Sequence, residues 1–327
     1  MKTFEIYRLS PFLCKDELQL KLAFSLKRLL DAYPADAFKA SAAEGESFFL
    51  RLRDGRVDGC DYALHHLLVC HLLDDRFGLA REVMAHGAKR DPRLSTTVLN
   101  YSLADLGQDF AFYDYIFGLN DLPAGSLSLA SPGESASARS REWLNQCFGL
   151  LAACSPEAHA ELEAFRPVLL LASKSESSTY SFGGYSSSLA WGTIALSADK
   201  PYLSQLLIQL IHELAHQLLF ALTADVPLAY NHPDELFSSP VRQDPRPMDG
   251  LLHACFVSAR VHEVLGQIQA TPSYARMNSE DQGIIANTLS STVDVVAASL
   301  PTIDISARLS ALGERVVGAC RQAVGLA

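Results

Sequence analysis

Residues 211 to 219 read IHELAHQLL, and with Leu206, Leu207, Ile208 and Leu210 ahead of them they form a run that is apolar almost all the way round a helix. Such a helix has to be a central element, packed on most of its sides. It also carries His212, Glu213 and His216, polar groups that cost free energy in a core unless they find partners. Positions i and i+4 stand one above the other on a helix. His212 and His216 can therefore offer two imidazole nitrogens to one ion, with Glu213 about 100° round from the first. The bland alternative is a packed helix with no metal.

At 327 residues and 49% apolar composition the chain has material for one large domain or two ordinary ones. A net charge of −10 argues against a nucleic-acid partner, which would need clustered Lys and Arg. No apolar run is expected to reach the roughly 18 to 20 residues of a membrane span. The start, MKTFEIYRLSPFL, has no basic cluster followed by an apolar stretch. Seven scattered cysteines without a CxxC pair suit reduced thiols. The expectation is a cytoplasmic protein with no membrane and no nucleic-acid partner.

The pattern along the chain predicts an α+β protein, mostly helical, with a small antiparallel sheet beside the HExxH helix. Helices are expected from about Asp16 to Tyr33, from Gly59 to Met84, and through LSTTVLNYSLADLGQDFAFYDYIFGL. LPAGSLSLASPGESASARS, rich in Ser, Gly and Ala, is the candidate linker. The expected division is a helical region over 1–121 suited to peptide recognition, a linker over 122–140 and a metal-binding region over 141–327. RPVLLLAS and STYSFGGYSSSLAWGTIALS suggest strands around Gly183 and Gly184. Further helices are expected over about 248–269, 278–300 and 303–324.

Two histidines rarely complete a metal site. QLLFAL after His216 excludes a third histidine in the HExxHxxGxxH pattern. The next helical stretch offers His253 and, ten residues on, Glu263; His253 is the preferred third ligand because it adjoins the proline-rich loop. In that loop, SSPVRQDPRPMDG, prolines stiffen the backbone around Arg242, Asp244 and Arg246. Fixed arginines near a metal suit an anionic ligand, since Arg grips a carboxylate by two parallel hydrogen bonds. Arg260 shares a broad face with His253 and Glu263 and is the next candidate. An Asp244–arginine pair shaping a turn is the bland reading of the loop.

IHELAHQLL, the preceding GTIALS strand and SSPVRQDPRPMDGLLHACF together resemble the HExxH-motif peptide β-hydroxylases associated with ribosomal peptide (RiPP) biosynthesis. The likeness covers about residues 180 to 265, and Val241 stands where that pattern often has an aromatic. The resemblance implies that His212, His216 and His253 hold Fe(II), that Arg242 or Arg246 grips 2-oxoglutarate, and that Glu213 supports the site. It also implies dioxygen and a ribosomally made precursor peptide as partners. The same ligands with Zn(II) would make a peptidase using Glu213 as general base. A third reading is a non-catalytic peptide binder with a degenerate site.

A peptide could add as an extra strand to the sheet edge upstream of the motif. His66 and Cys70, with His65 and His71 close by, read as helix packing before they read as a second metal site. Strand packing likewise outweighs peptide stacking for Trp191, Tyr180, Phe182 and Tyr185.

Overall fold

The computed structural model describes residues 11–33, 42–119 and 127–326. It is mostly helical, at 65%, with small sheets, which makes it α+β as the sequence implies. Two compact units interleave along the chain. One contains Phe12–Ser137 and Leu162–Asp199; the other contains Ala138–Glu161 and Lys200–Ala327. The chain thus crosses after Ser137, Glu161 and Asp199, where the sequence suggested one linear division. Of the expected linker, 122–126 lie outside the described residues, 129–130 form a strand and a helix begins at Glu134.

The first unit contains α1 (Pro11–Ala32), α2 (Ala42–Arg53), α3 (Gly59–Leu73), α4 (Phe77–Lys89), β1 (Thr97–Asn100), α5 (Leu103–Leu106), α6 (Asp109–Gly118) and β2 (Leu129–Ala130). Helices α7 (Glu134–Cys154) and α8 (Pro156–Phe165) carry the chain out and back before β3 (Val168–Lys174), β4 (Gly184–Ser186) and β5 (Thr193–Ser197). The sheet order is β1-β3-β5-β4, with β2 on the end of β3. The expected antiparallel pairing holds for β4 on β5 and β2 on β3, whereas β3 runs parallel to both β1 and β5. The signal was in the sequence: VLLLA and TIALS are continuous apolar runs, all buried, and lack the alternation of a half-exposed antiparallel strand. Strand β5 is paired on both sides, so a peptide cannot add to it; the edge belongs to β4.

Two helical expectations are corrected here. The 59–84 stretch breaks at Asp74 and at Asp75, which has φ +55°, a left-handed conformation that ends a helix. Thr97–Asn100 is a strand and not the start of a helix, because TTVLN finds a parallel partner in β3.

A buried ion network ties α2, α3, α4 and α6 together. Arg51 binds Asp61 through two hydrogen bonds of 2.5 and 3.1 Å. Arg90 reaches Asp58 at 2.8 Å and Asp109 at 3.1 Å, and Arg93 reaches Asp109 at 2.8 Å. Three guanidinium groups face three carboxylates, so the set is balanced, as a buried cluster must be. Asp58 also caps α3 in a reciprocal pair with Asp61. Beside that cap Gly59 lies so close to β5 that an added Cβ would stand 1.9 Å from Thr193 Oγ1. Trp191 is buried against Tyr62 and Phe165, which bears out its reading as packing.

The second unit holds α9 (Leu203–Leu222), β6 (Leu236–Phe237), β7 (Arg246–Pro247), α10 (Met248–Gln269), α11 (Pro272–Ala275), α12 (Ser279–Ser306) and α13 (Ala311–Ala323). Helix α10 is its axis: α9, α12 and α13 all pack on it, and the β6–β7 ladder lies against it. Helix α12 runs through Pro301. By length and composition alone α9 and α12 are apolar enough to cross a membrane, contrary to the sequence expectation. Here α9 is a core helix, and α12 buries one stripe, Asp281, Ile285, Leu289, Thr292, Val296, Ser299 and Ile303, with polar and small residues opposite.

Candidate functional site

Helix α9 is buried on nearly every side, as its sequence demands, but one stripe is less covered. Gln205, Ile208, His212, His216 and Phe220 follow each other three or four residues apart along it. The two histidines therefore stand on the open stripe, and Glu213 lies on the closed side, only 4% exposed. The expectation of a fully buried set holds for Glu213 and fails for His212, which is open to solvent.

The Nε2 atoms of His212 and His216 are 3.2 Å apart and their rings meet edge to face. Two nitrogens at that separation can both reach one ion with metal–nitrogen bonds of about 2.1 Å. Burial lowers the His212 pKa to about 4 although the residue is exposed. His216 is driven well below the ordinary histidine range by burial and then by His212, His253 and Arg246. Both are thus neutral imidazoles, the form that binds metals. His216 Nδ1 is buried with no hydrogen-bond partner.

His253 enters from the first turns of α10. Its ring is 6.0 Å from that of His216 and 5.9 Å from that of Phe220. Its Nε2 faces the carboxylate of Asp249, one turn earlier, at 3.4 Å. Among the described residues no three His, Cys, Asp or Glu stand close enough to hold an ion as they are. A three-histidine set requires His253 to turn from Asp249 toward the pair.

Glu263, the other candidate third ligand, is engaged elsewhere. Arg260 donates to Glu263 Oε2 at 2.5 Å and to Glu161 Oε1 at 2.6 Å, and all three side chains are buried. That cluster accounts for Arg260 as well, as a buried structural ion group. Arg242 lies exposed in the proline-rich loop. Arg246, on β7, is half-buried and packs over Gly250, where an added Cβ would lie 3.0 Å from its Nε and 3.1 Å from its Cζ. Its charge acts on both His216 and His253. Of the three candidate arginines, Arg246 is the one the fold brings to the histidines.

Sequence reasoning missed Phe220, Asp249 and Gly250. Each had a signal in spacing: Phe220 follows His216 by four residues, Asp249 precedes His253 by four, and Gly250 follows Arg246 by four. His66 Nε2 and Cys70 Sγ are 3.6 Å apart and His65 turns to Ser25 at 3.0 Å, so that cluster supplies two candidate donors and, among the described residues, no third. The six cysteines described, from Cys60 to Cys320, are free thiols.

A scan against models of known protein families finds no match, and a search of curated proteins finds no relative.

Proposed function

We propose that this protein is an Fe(II)- and 2-oxoglutarate-dependent oxygenase that hydroxylates a side-chain β carbon in a ribosomally made precursor peptide, in the cytoplasm. The observation that carries the reading is the convergence of His212 and His216, with Nε2 atoms 3.2 Å apart, beside His253 and Arg246.

The donor set fits such an ion: neutral imidazoles on an open stripe, one of them with an unpartnered second nitrogen. His212, His216 and His253 would hold it. Bound there with 2-oxoglutarate and dioxygen, iron supplies the oxidising power for hydroxylation. The chain's own part is positional. Arg246, lying over Gly250, would offer a cation to the carboxylate of the keto acid. Phe220, stacked on His216 with ring centroids 5.9 Å apart, would flank the ion on one side. Asp249 can hold His253 by its ring N–H until an ion takes that nitrogen.

Imidazole suits zinc as well as iron. Two features favour the oxygenase over a zinc peptidase. Glu213, the peptidase's general base, is buried on the closed side of α9, and a cation for an anionic cosubstrate sits beside the histidines. The test is anaerobic loading with Fe(II), then air and 2-oxoglutarate, with succinate measured in the wild type and in His216→Ala. Succinate that needs Fe(II) and is lost in the variant supports the proposal. Zinc-dependent peptide cleavage without succinate replaces it by the peptidase, and neither activity with no metal retained leaves a peptide-binding protein.

A further inference from the structure

The second unit contains a groove of about 550 Å³ at the far end of the same helix. Its long wall is one face of α7, with Trp143, Gln146 and Leu150 in line. The opposite side is formed by Tyr202 at the start of α9 and by Arg276 and Asp281 around the start of α12. From Trp143 to Ala153 the wall rises about 15 Å at 1.5 Å per residue, the length of four or five residues of extended chain.

The accessible charge in this groove is positive, although the protein carries −10. Asp281 is buried and committed: its Oδ1 accepts from Ser204 N–H at 2.8 Å and its Oδ2 from the Asn278 amide at 2.7 Å. Arg276 is exposed. Arg139, one turn before Trp143 and outside the lining, lies over that ring at 5.1 Å. A lining that holds the Trp143 ring and the exposed Arg276 guanidinium complements an aromatic side chain next to a carboxylate.

We infer that this groove binds an extended peptide segment in which an acidic residue neighbours an aromatic one, as a second contact for the substrate. The inference rests on the peptide-substrate reading above. His212 is nine residues beyond Leu203, about 14 Å along α9. Nine residues at 100° each put Leu203 and His212 on opposite sides of α9, so a peptide anchored here reaches the histidines only by a run longer than that axial distance.

The protein has two tryptophans, and Trp191 is buried in the first unit. Trp143 emission therefore reports the groove directly. The probe is the blocked pentapeptide Gly-Glu-Phe-Glu-Gly against its Gly-Lys-Phe-Lys-Gly counterpart, titrated into the full chain with a chelator present. The acidic peptide should shift the emission saturably, the signal should vanish in Trp143→Phe, and Arg276→Ala should weaken binding about five- to tenfold. Arg276→Glu should reverse the preference between the two peptides. Equal affinity for both peptides, or an affinity unchanged in Arg276→Ala, overturns the inference. Arg276 is exposed and its side chain reaches only as far as Ser273 Oγ at 3.3 Å, so these variants keep the fold, which circular dichroism checks. No metal enters this assay. Groove binding without succinate therefore condemns the oxygenase reading alone, and succinate without groove binding condemns the groove alone.

Discussion

Glu263→Gln tests the account of the buried cluster and, with it, the choice of third ligand. Arg260 sits between Glu161 and Glu263 at 2.6 and 2.5 Å, so two buried carboxylates share one cation. Burial raises the pKa of both carboxyls, Arg260 only partly opposes it, and Glu263 Oε1 has no partner. The folded state therefore keeps a proton that the unfolded chain releases above the ordinary carboxyl range. A raised folded pKa gives stability that is complete below the unfolded value and is lost as pH rises toward the folded one. Within that window the loss is about 1.4 kcal/mol per pH unit for one proton. The substituted amide would keep an acceptor for Arg260 and leave a balanced Glu161–Arg260 pair. The variant should be within about 1 kcal/mol of the wild type near neutral pH and should lack this component of the pH slope. Urea denaturation of both proteins between pH 4.5 and 8, read as the difference in unfolding free energy, measures it and cancels groups common to the two. Parallel curves would refute the shared-proton argument. Metal retention should be unchanged in Glu263→Gln and reduced in His253→Ala; the opposite result would move the third ligand.

Three further substitutions probe other parts of the structure. Gly59→Ala drives a Cβ into Thr193 Oγ1 and to within 2.8 Å of the Thr193 backbone nitrogen, so it should cost more than about 3 kcal/mol in chemical denaturation; a neutral result would mean that α3 and β5 are less close. Asp109→Ala removes the partner shared by Arg90 and Arg93 and should cost about 3 to 5 kcal/mol. Although burial raises the Asp109 pKa, His86, Arg90 and Arg93 outweigh it and hold the carboxyl well below its usual range. Its stabilisation is therefore present at neutral pH and should fade only on strong acidification, which acid titration of the variant against the wild type would show. Gly250→Ala should leave the melting temperature nearly unchanged, because helix propensity improves by about 1 kcal/mol while the flexible Arg246 side chain gives way. If Arg246 grips the keto acid, the same change should raise the 2-oxoglutarate requirement about fivefold, and an unaltered requirement would remove Arg246 from that role.

The sequence made the long periodic elements legible and concealed whatever depended on pairing across distance. IHELAHQLL announced a core helix because apolar residues surround it, and that helix is α9. VLLLA and TIALS announced buried strands, and their continuous apolar character pointed to parallel pairing, but their neighbours lie far away in sequence, so which strands pair and in what register had no local sign. That register draws residues 168–197 back to the N-terminal unit and defeats a linear domain division. The ion clusters were hidden for the same reason. Arg90 and Asp58 are 32 residues apart, and Arg260 and Glu161 are 99 apart. A lone buried charge makes no pattern until its partner is known.

The histidine site divides along the same line, and the division bears on its chemistry. The pair His212 and His216 is local, fixed by the pitch of one helix, and its 3.2 Å separation would serve zinc and iron equally. What separates the two readings is non-local: which side of α9 is closed, and which charge arrives from β7. Closure over Glu213 would deprive a peptidase of its base, while Arg246 over Gly250 would give the proposed oxygenase the cation its cosubstrate needs. The two properties are separable by substitution. If Glu213 is held only for packing and support, Glu213→Gln should retain metal and part of any succinate formation, whereas a peptidase would lose its activity by orders of magnitude along with its base. Succinate formation abolished by Glu213→Gln while iron and 2-oxoglutarate still bind would return Glu213 to the reacting centre and make the closed side of α9 a resting arrangement.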